Sequence, residues 1–350
     1  MALINPAQLN FSGEETRDLG EAVISAVFDK PELSEILTMV PGIVAKKQIA
    51  ILGRLSKITK LDAGCGLGAM SNQIGMSNKF WNPAQTKIWI KECHKSFEES
   101  FFVYLKNKGK MVADLTTTDI AAFIIEMMSD ASWEDLLRIV FFNDTTELNV
   151  IGGGRITDGV STTDYTIIDG IWKQLFAIAA ATPARRTVIA ENAGASFVAQ
   201  DTWTSSAKNI FRDMITAADY RLSGSPDKVI YATQSLVNKY ADELENANVP
   251  MSFERIEGGY TALKRRDVTI IAMPFWDRTI RSDFSNGTKW YIPHRAILTT
   301  KKNIQVGMDD IGAYDDFDVF YDKMTETSNF KGAYKIDAKV IEDNMVQVAY

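Results

Sequence analysis

Apolar positions along this chain fall into helical and strand periods that alternate from one end to the other. In residues 16–28, Leu19, Val23, Ile24 and Val27 recur at the spacing of an amphipathic helix, and Pro31 and Pro41 punctuate the residues after it. This helix has two readings, a strap across a neighbouring subunit or a helix lying on its own domain. In residues 46–95, Ile49, Ile51, Leu52, Leu55 and Ile58 lead outward to a glycine- and methionine-containing middle (Gly64, Gly66, Gly68, Met70, Gly75, Met76). Lys87, Ile88, Trp89, Ile90 and Lys91 lead back, with charged and apolar residues alternating. Two strands flanking a loose tip are expected. A free two-stranded ribbon is marginal in water, so this one should lie on another surface.

Helical spacing resumes in residues 96–142. Phe97, Phe101, Phe102, Tyr104 and Leu105 mark a first helix ended by Asn107 and Gly109. Thr117 or Thr118 caps a second that carries Ile120, Phe123, Ile124, Met127 and Met128. Ser132 and Asp135 restart the pattern through Leu136, Leu137, Val140 and Phe141, so a break is expected at residues 129–132. Residues 145–161 are a polar, glycine-rich link. Helices follow from Ile168 to Phe176 and from Trp203 to Leu222.

Residues 226–283 form one α/β module. The apolar run Val229, Ile230 and Tyr231 feeds a helix capped by Thr233 or Ser235 and marked by Leu236, Val237, Tyr240, Ala241 and Leu244. Pro250 prevents its continuation, a turn at Gly258, Gly259 and Tyr260 follows, and residues 268–273 read as a buried strand. Asn286 and Gly287, between Phe284 and Trp290, signal a tight turn. Strands are expected at 296–299 and 303–306. Period-two alternation in residues 317–350 then predicts an antiparallel sheet with one wet face.

Composition adds exclusions. With 350 residues, 46% of them hydrophobic and 24% charged, the chain is long enough for two cores, and disorder is not the expectation. Thirty-eight basic against 45 acidic residues give a net charge of −7, which argues against a dedicated nucleic-acid binder. Two cysteines, Cys65 and Cys93, are too few for a disulfide framework or a zinc cluster and suit a reducing compartment. The first ten residues lack a signal-peptide pattern, and no apolar run approaches the ~18 residues of a membrane span.

Candidate chemistry is sparse. Residues 61–68, LDAGCGLG, read like the first motif of the S-adenosylmethionine-dependent methyltransferases. That motif needs a buried strand before it and a helix after it, and a ribose-holding carboxylate ~20 residues on. Here the preceding residues are polar, and no Asp or Glu stands between Asp62 and Glu92. Gly152, Gly153, Gly154 and Arg155 lack a P-loop lysine and read as linker. His94 and His294 are the only histidines, with no third ligand near either. Asp309, Asp310, Asp315, Asp316 and Asp318 form an acidic run whose ordinary fate is a solvated turn, a divalent cation being the minority reading. No cofactor, metal or catalytic residue is assigned.

The order of parts carries a resemblance. The module at 226–283, the segment Arg295, Ala296, Ile297 and Leu298, and the run from Asn303 to Asp309 make the chain similar to the major capsid proteins of tailed bacteriophages, which have the Hong Kong 97-like shell fold. The likeness implies an α+β architecture divided into an N-terminal arm (1–45), an extended loop (46–95), a first part of a peripheral domain with a spine helix (96–150), an axial domain (151–310), and C-terminal strands of the peripheral domain (311–350). It implies no enzymatic activity. The chain would assemble as pentamers and hexamers into an icosahedral virion shell, built in the host cytoplasm around double-stranded DNA that it binds without sequence specificity. Scaffolding, portal and head-decoration proteins would be its partners. Candidate inter-subunit contacts are Trp81, Ile88, Trp89 and Ile90 in the loop, with Gly258, Gly259, Tyr260, Asn286 and Gly287 as axial tips. Two other classes stand beside it, an encapsulin-like nanocompartment shell and a methyltransferase.

Overall fold

A computed structural model describes residues 18–19, 22, 36–52, 76–109, 117–146, 155–157, 159–247, 253–255, 261–309 and 318–350. The expected tips at Gly258, Gly259 and Tyr260, the middle of the extended loop with its 61–68 motif, and most of the arm and of the 309–318 acidic run lie outside these residues.

The first half of the chain is laid down as β1 (Thr38–Val40), β2 (Lys47–Leu52), β3 (Met76–Trp81) and β4 (Ala84–Cys93), then α1 (His94–Asn107) and α2 (Thr117–Phe142). After α3 (Ile171–Ala181) and the short β5 (Arg186–Thr187) come α4 (Ala207–Ala217), β6 (Lys228–Thr233) and α5 (Gln234–Asn246). The chain continues through β7 (Phe253–Arg255), β8 (Thr261–Arg265), β9 (Val268–Met273), α6 (Pro274–Asp283), β10 (Ala296–Thr300), β11 (Ile304–Met308), β12 (Asp318–Asp322), β13 (Thr327–Val340) and β14 (Gln347–Ala349).

These strands make two sheets and a ribbon. A seven-stranded sheet has the order β5-β14-β10-β6-β9-β8-β7, with β6 parallel to β9. Its central strand β6 is buried along nearly its whole length because helices cover both faces. On one face lie Phe211 and Met214 of α4 and Leu236 and Tyr240 of α5. Against the other pack Trp172 of α3 and Trp276 of α6. A five-stranded sheet has the order β1-β11-β13-β12, and β4 pairs with the opposite edge of β13 over ten residues. The ribbon is β2 paired antiparallel with β3.

The α2 helix ties the cores together. At 26 residues it runs about 39 Å. Its first half packs with α1 and Phe330, while Leu137, Val140 and Phe141 join the large cluster shared by both sheets. The expected break at 129–132 does not occur. Ser129 donates its hydroxyl to the Glu126 carbonyl one turn back, so a residue that often leaves a helix is satisfied inside this one.

Three further expectations are corrected. The ribbon's return strand is Met76–Trp81, and the Lys87–Lys91 stretch lies instead in β4 of the five-stranded sheet. Helix α5 is not capped by a Thr233 or Ser235 side chain; Asp277 of α6 accepts from the Gln234 and Ser235 N–H groups at 2.6 and 3.3 Å. The last strand, β14, leaves the other C-terminal strands and enters the seven-stranded sheet between β5 and β10.

Candidate assembly surface

The base of the ribbon is fixed to the five-stranded sheet by a few side chains. Trp81 ends β3 and is 3% exposed. Its ring lies over Gly307 of β11, where an added Cβ would stand 2.9 Å from the indole edge and 3.1 Å from Ile43. The strand glycine marks a place where a ring must approach the backbone. Two residues earlier on the same face, Lys79 donates to the Val340 carbonyl and to Asp343, both at 2.6 Å. At the β3–β4 turn the Asn82 N–H donates to the buried Asp337 carboxylate at 2.7 Å. Burial pushes the Asp337 carboxyl above its usual range, opposed by the Asn82 N–H and by Lys339. Phe80, on the other face, is 45% exposed beneath the Lys46 ammonium.

Beyond the turn, β4 alternates strictly. Ile88 and Ile90 face inward against the cluster of Phe97, Phe123 and Phe330, and Trp89 faces outward, 55% exposed. Adjacent strand residues cannot share one face, so the four loop candidates separate: Trp81, Ile88 and Ile90 pack into their own chain, and Trp89 is exposed, its indole N–H on Asn329 Oδ1 at 3.3 Å. Asn286 and Gly287 form a stiff turn. Asn286 Oδ1 accepts from the N–H groups of Thr288 and Lys289 and from the Thr288 hydroxyl, and Gly287 takes φ +85°. The Thr288 carbonyl accepts from the Phe197 N–H, which docks the turn on the short helix Phe197–Asp201.

One cluster combines nucleophile, base and acid. Ser235 Oγ lies 2.9 Å from His294 Nδ1, and its hydroxyl also reaches Asp277. His294 Nε2 lies 2.9 Å from the Gln200 carbonyl, which can only accept, so this nitrogen carries a proton. Burial lowers the His294 pKa, with the Gln200 bond acting against it. The N–H groups at the start of α5 that could steady an oxyanion are occupied by Asp277, and the imidazole is fully buried. The cluster therefore joins the ends of β6 and β9 to the short helix carrying Gln200. Periodicity does not reveal it, because its members are 94 residues apart at most and share no local motif.

The residues before the glycine motif at 61–68 contradict a nucleotide-binding context. β2, the strand that precedes it, belongs to a two-stranded antiparallel ribbon whose next described element is the return strand β3, not a strand of a parallel sheet leading to a helix. Among the described residues there is no group of three His, Cys, Asp or Glu arranged to hold a metal, and no helix long and apolar enough to cross a membrane.

No protein-family model matches the sequence, and no curated protein matches it significantly. Solved structures do match. A chain of the satellite phage P4 procapsid that includes the size determination (Sid) protein superposes with a TM-score of 0.54 at 12% identity, covering 94% of this chain and 89% of its own. A chain of Gordonia phage Cozz gives 0.50 at 13% identity, over 90% of this chain and 84% of that one. The chain has the Hong Kong 97-like shell fold. A looser match, at 0.47 and 9% identity, is a chain of the holo-SrpI encapsulin complex from Synechococcus elongatus.

Proposed function

We propose that this chain is the major building block of a phage capsid: a structural, non-catalytic subunit that forms pentamers and hexamers and closes them into an icosahedral shell around double-stranded DNA. The observation that carries this reading is the shell fold over some nine-tenths of the chain, shared with a procapsid chain of satellite phage P4. The ribbon and arm lap over neighbours, and the turn at Asn286 and Gly287 gathers near the symmetry axes. On this reading residues 1–45 carry the arm, the ribbon within 46–95 is the extended loop, 96–150 and 311–350 give most of the peripheral domain and 151–310 most of the axial domain, with β4 and β11 pairing in the five-stranded sheet and β14 in the seven-stranded one. Scaffolding, portal and head-decoration proteins act with it in the infected cell, and the virion is its final location.

The physical support lies in what the subunit leaves unfinished. A ribbon whose described contacts lie at its base, with Phe80 exposed, gains stability when a second surface covers it. Deleting residues 64–75 is expected to leave a folded subunit, judged by an unchanged thermal melt, that no longer closes shells; closed shells from the deleted chain would refute the lapping role. Particles taken from the natural source are expected to protect double-stranded DNA from nuclease. A defined protein cargo in place of DNA would turn the reading to a nanocompartment shell.

A further inference from the structure

Between β5 and α4 the chain makes a loop whose ends are anchored by apolar residues and whose middle is not. Ile189 and Ala207 are buried in the cluster on one face of the seven-stranded sheet. In residues 190–206, between them, the only fully buried side chains are Glu191 and Gln200, both polar. The loop closes on itself as a compact Ω-loop does. Glu191 Oε1 accepts from the Thr204 and Ser205 N–H groups at 2.8 and 2.6 Å, which brings its ends together. Gly194 packs so closely on residues 199 and 200 that an added Cβ would stand 2.9 Å from their backbone. Its attachment to the neighbouring segment is a set of hydrogen bonds, each worth little once water competes for the same groups. Asn192 exchanges two bonds with the His294 backbone, at 2.8 and 2.9 Å, and Gln200 exchanges two with the Trp290 backbone, at 2.9 and 2.8 Å. The Gln200 carbonyl accepts from His294 Nε2 at 2.9 Å, and Asp201 pairs with Arg281 at 2.7 Å near the surface. Two half-buried ring contacts complete the seat, Phe197 on Trp290 and Trp203 on His294, each 4.4 Å between centres.

Two features work against the closed form. Glu191 Oε2 is buried with no hydrogen-bond partner, a cost that hydration on opening removes. In the segment beneath the loop, Ile292 takes φ +50°, a left-handed conformation that a β-branched residue adopts only under constraint and that the following Pro293 disfavours further. The elements on either side do not need the loop. Glu243 of α5 accepts from the Ser206 hydroxyl and the Ala207 N–H at 2.8 and 2.9 Å and so starts α4, while β6 is paired along both edges by β9 and β10. We infer that residues 190–205 form a strap that opens as one body while the sheet stays folded, helped by release of the strain at Ile292. The strap also seats the turn at Asn286 and Gly287, because the Phe197 N–H donates to the Thr288 carbonyl at 2.9 Å, so opening frees that turn. On the shell reading this turn lies near the symmetry axes, and the strap then sets the surface met there; the opening itself does not depend on that reading.

Native-state hydrogen exchange of the full chain, read by mass spectrometry, tests the strap. The hydrogen-bonded amides of Gly194, Phe197, Gln200 and Thr204 are expected to share one opening equilibrium, at least about 100-fold more favourable than that of the β6 amides. Three variants, each confirmed as folded by its thermal melt, separate local from global opening. Ile271→Val, in the core on the sheet's other face, is expected to speed exchange in β6 and β9 and leave the strap amides unchanged. Gln200→Ala is expected to speed all four strap amides together, about tenfold or more, including those remote from the lost side chain. Ile292→Gly, which a left-handed backbone accepts, is expected to slow the common opening about threefold or more. Strap amides that accelerate with β6 in Ile271→Val, or that respond singly to Gln200→Ala, would overturn the inference. An unchanged rate in Ile292→Gly would overturn the part played by strain. The result stands apart from the shell reading, because exchange is measured whether the chain is assembled or free.

Discussion

At Gly307 the absence of a side chain decides how the ribbon meets the rest of the molecule. A Cβ there would stand 2.9 Å from the Trp81 ring, closer than carbon atoms pack. Gly307→Val is expected to cost about 1–3 kcal/mol through overpacking, measured as a lower urea midpoint. An unchanged midpoint would mean that Trp81 does not sit over β11. His294 makes a second residue-scale prediction. Its folded pKa is depressed below the ordinary 6.5, so the folded state binds this proton less readily than the unfolded chain. The associated stability is complete above about pH 6.5 and is lost as pH falls through the folded value. Asp277 has the opposite sign, since burial raises its carboxyl and its contribution is lost as pH rises through its folded value. Wild type is therefore expected to lose more melting temperature than His294→Gln between about pH 7 and about pH 5. Equal losses would show that another group controls acid sensitivity. Single residues such as His294 and Asp277 are poorly legible in sequence, because their partners come from distant turns and their burial depends on the assembled sheet.

Elements read more clearly than their ends. The strands at 229–231, 268–273 and 296–299 stand out as apolar runs and fall where β6, β9 and β10 form the middle of the seven-stranded sheet. The helical period across 117–142 is also plain, but local propensity at Ser129 and Ser132 suggests a break that tertiary packing overrides. With Met128 and Leu136 buried on either side, the helix gains more by continuing between two cores than by stopping. Pairing was the least legible feature. Ile49 and Ile51 announce a strand, yet the residues 76–81 that return to pair with it have no strong alternation, while the alternating stretch 87–91 pairs elsewhere. Register of this kind is set by Lys79 and Trp81 finding their seats on β11 and β13. The Lys79 contacts to Asp343 and Val340 are partly exposed, so Lys79→Met is expected to change global stability by less than about 1 kcal/mol. Hydrogen exchange of the β3 amides is expected to quicken selectively. Unaltered β3 protection would mean that the ribbon's base is held by Trp81 and Asn82 alone.

For the whole molecule, the fold was legible and the assembly was not. The order of strands, helices and turns suffices to identify a Hong Kong 97-like shell fold, because that order is dictated by burial within one subunit. Surface residues leave a fainter mark, since exposed Trp89 differs from its neighbours Ile88 and Ile90 only by its phase along β4. Whether this chain builds shells as proposed can be seen by negative-stain electron microscopy of the purified protein, expressed alone and taken from its natural source. Closed particles, or rings of five and six subunits, are the predicted result; a uniform monomer under every condition would rule out a shell-forming subunit.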